Sequence, residues 1–385
     1  MTGKKIIGLT GPFGSGCSYI AEKIISANGY QIISLSDILR ESIDDNKYSR
    51  SDLQDKGNEI RSRYGASYLA DKAIEKINSL EGDKFVVDSI RNTHEIESFK
   101  KCFPEFYLVA VWASKDTRWE RVKGKYNSDL SVFEKDDKRD KDEKDENGQQ
   151  ITLCYQMADV IVLNERKIHS KETEDFRTLK AIVERYIGLI EKTSQYEPTE
   201  TETLMAMAYA NSMRSSCTQR KVGALIIDEN GNVFSSGYNE VPALERPCQK
   251  EYGMCYRKYL RQDINEKIKS ELNNDELSNK ICSIVKNNSK MLDYCRALHA
   301  EENAIVNMAR LSISADYSKA TLYTTTYPCN LCANKIAQIG IKKVIYYEPY
   351  PQEEAKKTLK SHNVNQIPFE GVTFNSYFKF MEVIR

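Results

Sequence analysis

At 385 residues, 40% of them hydrophobic, the chain is long enough for two domains of ordinary size, each with its own core. Lysine plus arginine equals aspartate plus glutamate, 56 against 56, so no net field draws the protein to nucleic acid or anionic lipid. No apolar run approaches membrane length, and the polar start Met1-Thr2-Gly3-Lys4-Lys5 has no signal-peptide profile; ten cysteines then read as reduced thiols and metal ligands in a cytoplasmic protein.

The first element is a buried strand, Lys5-Ile6-Ile7-Gly8-Leu9-Thr10, which runs straight into Gly11-Pro12-Phe13-Gly14-Ser15-Gly16-Cys17-Ser18. That is the P-loop frame G-x-x-x-x-G-K-[ST] with cysteine in the lysine position. Gly11, Gly14, Ser15, Gly16, Cys17 and Ser18 are the candidate nucleotide-binding residues. Glycines, backbone amides and the following helix start can cradle phosphate, and Ser18 can reach Mg2+. The missing ammonium normally stabilises charge on a transferring phosphoryl group, so nucleotide binding is expected and phosphoryl transfer is not. Further on come Leu35-Ser36-Asp37-Ile38-Leu39-Arg40, the strand Phe85 to Asn92 with Asp88 and Arg91 near its end, Arg118-Trp119-Glu120-Arg121, and a closing strand from Ala158 to Asn164. Asp88 is a candidate for magnesium and Arg91 for phosphate, each against plain structural pairing. Every residue from Glu134 to Glu146 is charged, which reads as a solvated loop or lid. Strands and helices alternate as in a parallel sheet. These motifs resemble the adenylate and deoxynucleoside-monophosphate kinases over most of residues 5–190. The resemblance implies a P-loop kinase-like α/β domain over residues 1–195, with Leu35 to Arg40 as an acceptor-nucleotide helix.

The chain divides near Tyr196-Glu197-Pro198-Thr199-Glu200, so the second domain is expected over 196–385. It opens with an amphipathic helix from Glu202 to Ser215, followed by a hairpin. Its strands are Lys221 to Ile227 and Val233 to Tyr238, turned through Asp228-Glu229-Asn230-Gly231-Asn232. Arg220, just before the first strand, is a candidate phosphate contact or an exposed arginine. Asn239 ends the second strand, where its amide can both donate and accept. The long insert that follows carries Cys248, Cys255, Cys282 and Cys295. Four thiolates could hold a second, structural Zn2+, although their spacing is irregular. Buried free cysteines that act as small hydrophobes are the alternative.

His299-Ala300-Glu301 and Pro328-Cys329-Asn330-Leu331-Cys332 carry the most specific chemistry. One imidazole and two thiolates, from His299, Cys329 and Cys332, can hold Zn2+ with its fourth tetrahedral position open for water. Water bound there becomes a nucleophile near neutral pH. Glu301 is placed to carry its proton to departing ammonia. Residues 301–309 read as a helix, Thr321 to Thr326 as a strand, and Cys329 to Gly340 as a second helix begun by Pro328. Both ligand groups then sit at helix N-termini, which favour thiolate over thiol. Tyr327, against the Cys329 turn, could stack on a base or belong to the core.

From about Glu202 to Tyr347 the sequence resembles the deoxycytidylate deaminases of the zinc cytidine-deaminase superfamily. The residues that carry the likeness are Cys217-Thr218-Gln219-Arg220-Lys221-Val222-Gly223-Ala224, Gly237-Tyr238-Asn239 and the two zinc motifs. It implies an α/β/α deaminase domain in which Asn239 contacts the substrate's sugar. A P-loop kinase-like domain fused to such a deaminase is similar to the bacterial anti-phage deaminases. That likeness implies conversion of dCTP, dCMP or both to deoxyuridine nucleotides and a regulatory first domain with a nucleotide effector. It also implies an inhibitory noncoding RNA and a homo-oligomer. The alternatives are a deaminase acting on a base within RNA or DNA, which the balanced charge disfavours, a housekeeping dCMP deaminase, and a nucleotide kinase with a degenerate second half.

Overall fold

The computed structural model describes residues 3–41, 50–141, 148–165, 173–272, 274–288, 294–311, 316–349 and 352–381. It is mixed α/β and falls into two compact units, Met1–Glu202 with Glu370–Arg385, and Thr203–Phe369.

The first unit is built on five parallel strands: β1 (Lys5–Thr10), β2 (Gln31–Ser34), β3 (Lys84–Ile90), β4 (Phe106–Trp112) and β5 (Val160–Leu163), in the spatial order 5-4-1-3-2. The apolar runs Phe85 to Val87, Phe106 to Val111 and Val160 to Val162 are buried, as strands covered on both faces must be. The chain leaves β1 toward β2 on one side and β4 toward β5 on the other. The crevice at their carboxyl ends, beside residues 11–16, is therefore where an open sheet of this kind receives ligands.

Two expectations fail here. Residues 134–141 of the charged run are not a solvated loop but part of the helix Leu130–Lys141. Asp136, Asp137 and Asp140 of that helix are buried. Asp137 pairs with Arg118 at 2.5 Å and Asp140 with Arg50 at 2.9 Å and Arg91 at 3.3 Å. Partners distant in sequence, which charge patterning cannot see, make that burial tolerable. The rest of the run, 142–146, lies outside the described residues.

The second concerns the far end of the chain, which the sequence pattern assigns to the second domain. Gly371–Val372 adds an antiparallel strand to β5, with Gly371 opposite Ile161 and Val372 opposite Val160. The Val372 amide donates to Glu202 at 2.8 Å, the Ser376 hydroxyl donates to Asp159 at 2.5 Å, and Phe380 stacks on Tyr107 with centroids 5.4 Å apart. Glu202, nearly fully buried and ion-paired with Arg185 at 3.0 Å, belongs to this unit too. The added strand covers an edge that β5 would otherwise leave bare.

The second unit carries a five-stranded sheet of β6 (Gly223–Ile227), β7 (Val233–Tyr238), β8 (Thr321–Thr326), β9 (Lys343–Glu348) and β10 (Asn365–Pro368), in the order 10-9-8-6-7. β6 is antiparallel to β7 and β8, whereas β8, β9 and β10 run parallel. Asp228 closes the expected hairpin by accepting from the amides of Asn230 at 2.8 Å and Asn232 at 2.7 Å. The opening helix is Glu200–Ser212. Its Leu204, Met205, Ala206 and Ala208 are all buried, so more than the single apolar face of an amphipathic helix is covered. The insert forms the helices Cys248–Tyr252, Tyr256–Glu271 and Asp275–Asn288.

The helix Ala300–Arg310 is fastened to β7. Asn303 donates to the Tyr238 carbonyl and Asn307 to that of Ser236, both at 3.0 Å, and Ser235 donates to the Ala304 carbonyl at 2.7 Å. At Gly237 the two backbones come so close that a Cβ would overlap the Ala300 carbonyl and the Ala304 amide. Gly237→Ala is therefore expected to destabilise this unit by at least about 1–3 kcal/mol, an overpacking cost that backbone shifts cannot relieve. Urea unfolding checks it, and an unchanged midpoint would refute the close-approach explanation. Among the described residues, no helix is long and apolar enough to cross a membrane.

Candidate active site

His299 and Cys329 occupy equivalent positions, each the N-cap of a helix and each in extended backbone. The helices are Ala300–Arg310 and Asn330–Ile339, and Gly340 ends the second in the left-handed region with φ 91°. Leu298 is held by an isolated antiparallel bridge to Glu240, with N–O distances of 2.9 and 3.3 Å, so His299 enters its helix from a fixed point of the backbone. Glu302 accepts from the His299 amide at 3.2 Å and secures the first turn. Two helix starts, with their exposed amides, thus converge on one point.

There His299 Nδ1 lies 3.1 Å from Cys329 Sγ and 3.4 Å from Cys332 Sγ. Among the described residues, these three form the one group of His, Cys, Asp or Glu whose ligand atoms all lie within 4.8 Å of one another. The Cys329 thiol is held down at about 4 by hydrogen bonding from Cys332, with His299 adding to it, and Cys332 is pushed up in turn. The hydrogen bond to Cys329 holds His299 above its ordinary value. Two cysteine sulfurs and an imidazole nitrogen at contact distance fit a tetrahedral zinc with one open position.

Glu301 points into the same space and is only 3% exposed. Its carboxylate accepts from the Thr324 hydroxyl at 3.2 Å and lies 3.5 Å from Cys332 Sγ. Burial raises its pKa, which suits a group that must take and return a proton. Thr324, on β8, escapes sequence reasoning; a threonine in a β-branched strand gives no local signal of what it faces.

The other expected residues are distributed differently. Asn239 accepts from the Val222 amide at 2.7 Å and donates to the Arg220 carbonyl at 2.9 Å, which leaves one N–H and one lone pair of its amide. Arg220 is half exposed and ion-paired with Glu348. Tyr327 is a correction. It is buried in the core, its ring edge-on to Tyr346 at 4.8 Å and its hydroxyl bonded to Gln366, so it is placed for packing and not for stacking on a base. Cys248, Cys255 and Cys295 line one small cavity; Cys282 does not, and its place is taken by Cys217. Burial raises the Cys295 thiol pKa.

In the first unit the loop after β1 has Gly14 and Gly16 at φ 85° and 102°. Arg121 donates to the Gly14 and Ser15 carbonyls at 3.3 and 3.2 Å, and Asn164 donates to Ser15 at 2.8 Å. A Cβ at Gly11 or Gly16 would overlap the Val111 carbonyl or the Asn164 amide. Ser18 donates to Asp88 at 2.6 Å. The Cys17 sulfur lies 3.5 Å from the Ser15 hydroxyl, and burial, reinforced by Asp88, pushes its thiol up to about 12. Position 17 is therefore neutral.

A histidine, two cysteines and a buried glutamate gathered at paired helix starts over such a sheet define the zinc-dependent base deaminases. The comparisons agree: residues 198–348 match the cytidine and deoxycytidylate deaminase zinc-binding region, and residues 7–166 match an AAA domain. Deoxycytidylate deaminase of Enterobacteria phage T4 is 34% identical over 160 residues, 40% of this chain and 81% of that protein. Deoxycytidylate deaminase of Schizosaccharomyces pombe is 25% identical over 376 residues, 96% of this chain and 97% of that protein. A UPF0200 protein of Methanothermobacter thermautotrophicus is 27% identical over 187 residues, 47% of this chain and 92% of that protein. The chain belongs to the deoxycytidylate deaminase family, with an AAA-like P-loop domain joined to the zinc-binding deaminase domain.

Proposed function

We propose that the protein hydrolyses dCMP to dUMP and ammonia, under control of a nucleotide bound in the first unit. The observation that carries this is the cluster of His299, Cys329 and Cys332 with the buried Glu301 beside it. Zinc, when bound by those three residues, supplies an acidified water as nucleophile. Glu301 takes the proton as the water oxygen bonds to C4 of the base, and returns it to the exocyclic nitrogen as the C4–N bond breaks and ammonia leaves. Thr324 fixes the carboxylate for both transfers. Asn239 offers its remaining donor and acceptor to the sugar, and Arg220 exchanges Glu348 for the substrate's phosphate.

The monophosphate is supported by the S. pombe and T4 relatives, both deoxycytidylate deaminases by name. The anti-phage role implied by the bacterial two-domain deaminases calls for dCTP as well, with control by a nucleotide or a noncoding RNA in a cytoplasmic homo-oligomer. Ammonia release from the purified protein with dCMP, dCTP, CMP and a cytosine oligonucleotide separates these readings. Release from dCMP is expected. Release from the oligonucleotide alone would overturn the proposal.

A second, structural Zn2+ belongs to the same proposal, with Cys217, Cys248, Cys255 and Cys295 as its residues; no three of their sulfurs lie within 4.8 Å of one another, so an ion there would have to draw them together. Their shared cavity is small and lies beside Glu240, whose backbone positions Leu298.

In the first unit, Ser18 and Asp88 are the groups for Mg2+ with a bound nucleotide. Because Cys17 is neutral, ATP and a deoxynucleoside monophosphate are expected to give no diphosphate above background. A robust kinase rate would refute this.

A further inference from the structure

Arg50 opens the helix Arg50–Tyr64, and Arg91 follows β3. Their guanidinium groups converge on the carboxylate of Asp140, which has no exposed surface. Asp140 Oδ1 accepts from Arg50 at 2.9 Å and Gln54 at 2.5 Å, and Oδ2 accepts from Arg50 at 3.0 Å and Arg91 at 3.3 Å. Gln149 Oε1 accepts from both arginines at 3.2 Å. The backbone of Arg91 is itself fixed, its amide donating to Glu95 at 2.8 Å, while Glu95 pairs with the buried Arg61 at 2.9 Å.

Two fixed arginines on one oxyanion is how proteins grip a phosphate. Asp140 does not complete the arrangement, since among the described residues the buried Arg50 Nε has no acceptor. A phosphate monoester brings three terminal oxygens and a charge of about −1.5 to −2, where a carboxylate brings two oxygens and one charge. Beside Arg50 opens a cleft of about 740 Å³, lined by Phe13, Arg40, Lys125, Tyr126 and Asp136 among others. The Arg50 guanidinium and the Lys125 ammonium lie 5.0 and 5.4 Å from the centroid of the Phe13 ring there. The cleft has the size and the aromatic and cationic lining for a nucleoside.

We propose that Arg50 and Arg91 are the phosphate seat for a nucleoside monophosphate, and that Asp140 fills it as an internal competitor. Binding then requires the helix Leu130–Lys141 to release Asp140. The inference rests on the reading of the first unit as nucleotide-binding; the monophosphate class and the phosphate role of Arg91 follow from the kinase resemblance, and what is added is Arg50 as the second arm and Asp140 as the group that must be displaced.

The test uses the full-length, zinc-loaded protein and three probes that carry no cytosine: AMP, dAMP and dTMP. By calorimetry, Asp140→Asn is expected to bind at least one of them more tightly than the wild type by about tenfold or more, because the competent state no longer competes with an internal anion. Adding Arg91→Gln to Asp140→Asn should abolish that gain. In the wild type, a saturating monophosphate should speed amide hydrogen exchange in the helix Leu130–Lys141, a readout that holds even if Asp140→Asn folds poorly. Equal affinity of a folded Asp140→Asn, or exchange in that helix unchanged or slowed at saturation, overturns the proposal. If ATP binds and no monophosphate does, the seat fails while the nucleotide reading stands. If neither binds, both fail, and ammonia release from dCMP still tests the deaminase separately.

Discussion

Glu301→Gln is expected to slow ammonia release from dCMP by about 10²- to 10⁴-fold while zinc content stays at the wild-type value. The substitution keeps the shape and burial of the side chain, so the bond from Thr324 and the contact with Cys332 have an equivalent partner. What it removes is a group that can accept a proton and then return it. A merely structural glutamate would show itself by lost zinc or a lowered thermal transition in this variant. A folded, zinc-loaded Glu301→Gln protein with normal turnover would sink the assignment.

Cys332→Ala should go further, abolishing both zinc at this site and turnover. Cys332 is 1% exposed and packs within the core of the second unit, and its loss leaves only His299 and Cys329 of the three-residue cluster. The expected loss is one equivalent of zinc per chain, measured by elemental analysis. If the cavity of Cys217, Cys248, Cys255 and Cys295 holds its own ion, one equivalent remains, and Cys255→Ala removes it. Full zinc and activity in Cys332→Ala would refute the ligand set.

The zinc cluster was legible because its determinants are local. His299 and Glu301 are two residues apart on one helix start, Cys329 and Cys332 three apart on another, and the sheet strand between them is written in β-branched residues. The same holds for the strand Lys5–Thr10 and its glycine loop. What local pattern cannot carry is the choice between partners far apart in the chain. The acidic run looks solvated until Arg50, Arg91 and Arg118 are known to face it. Cys217 was visible in the deaminase motif, yet only the fold brings it, instead of Cys282, to the other three cysteines. Tyr327 beside the metal turn could have faced either way, and packing against Tyr346 decides it. Asn239 was found by its motif, but its bonds to the Arg220–Val222 backbone were not.

The strand Gly371–Val372 also sets an order of events during synthesis. A ribosome finishes the β1–β5 segment early, then makes the whole of Thr203–Phe369, and only at the end delivers the residues that cover β5. Until then Tyr107 lacks Phe380, Glu202 lacks the Val372 amide, and the rim of a parallel sheet stays open to pairing with another chain. The zinc-bearing unit has no such wait, since all of its strands are complete by Pro368. A nascent chain can therefore present a finished metal site while the P-loop unit is still unsealed, and a message broken shortly before codon 370 would yield a deaminase tethered to an aggregation-prone partner.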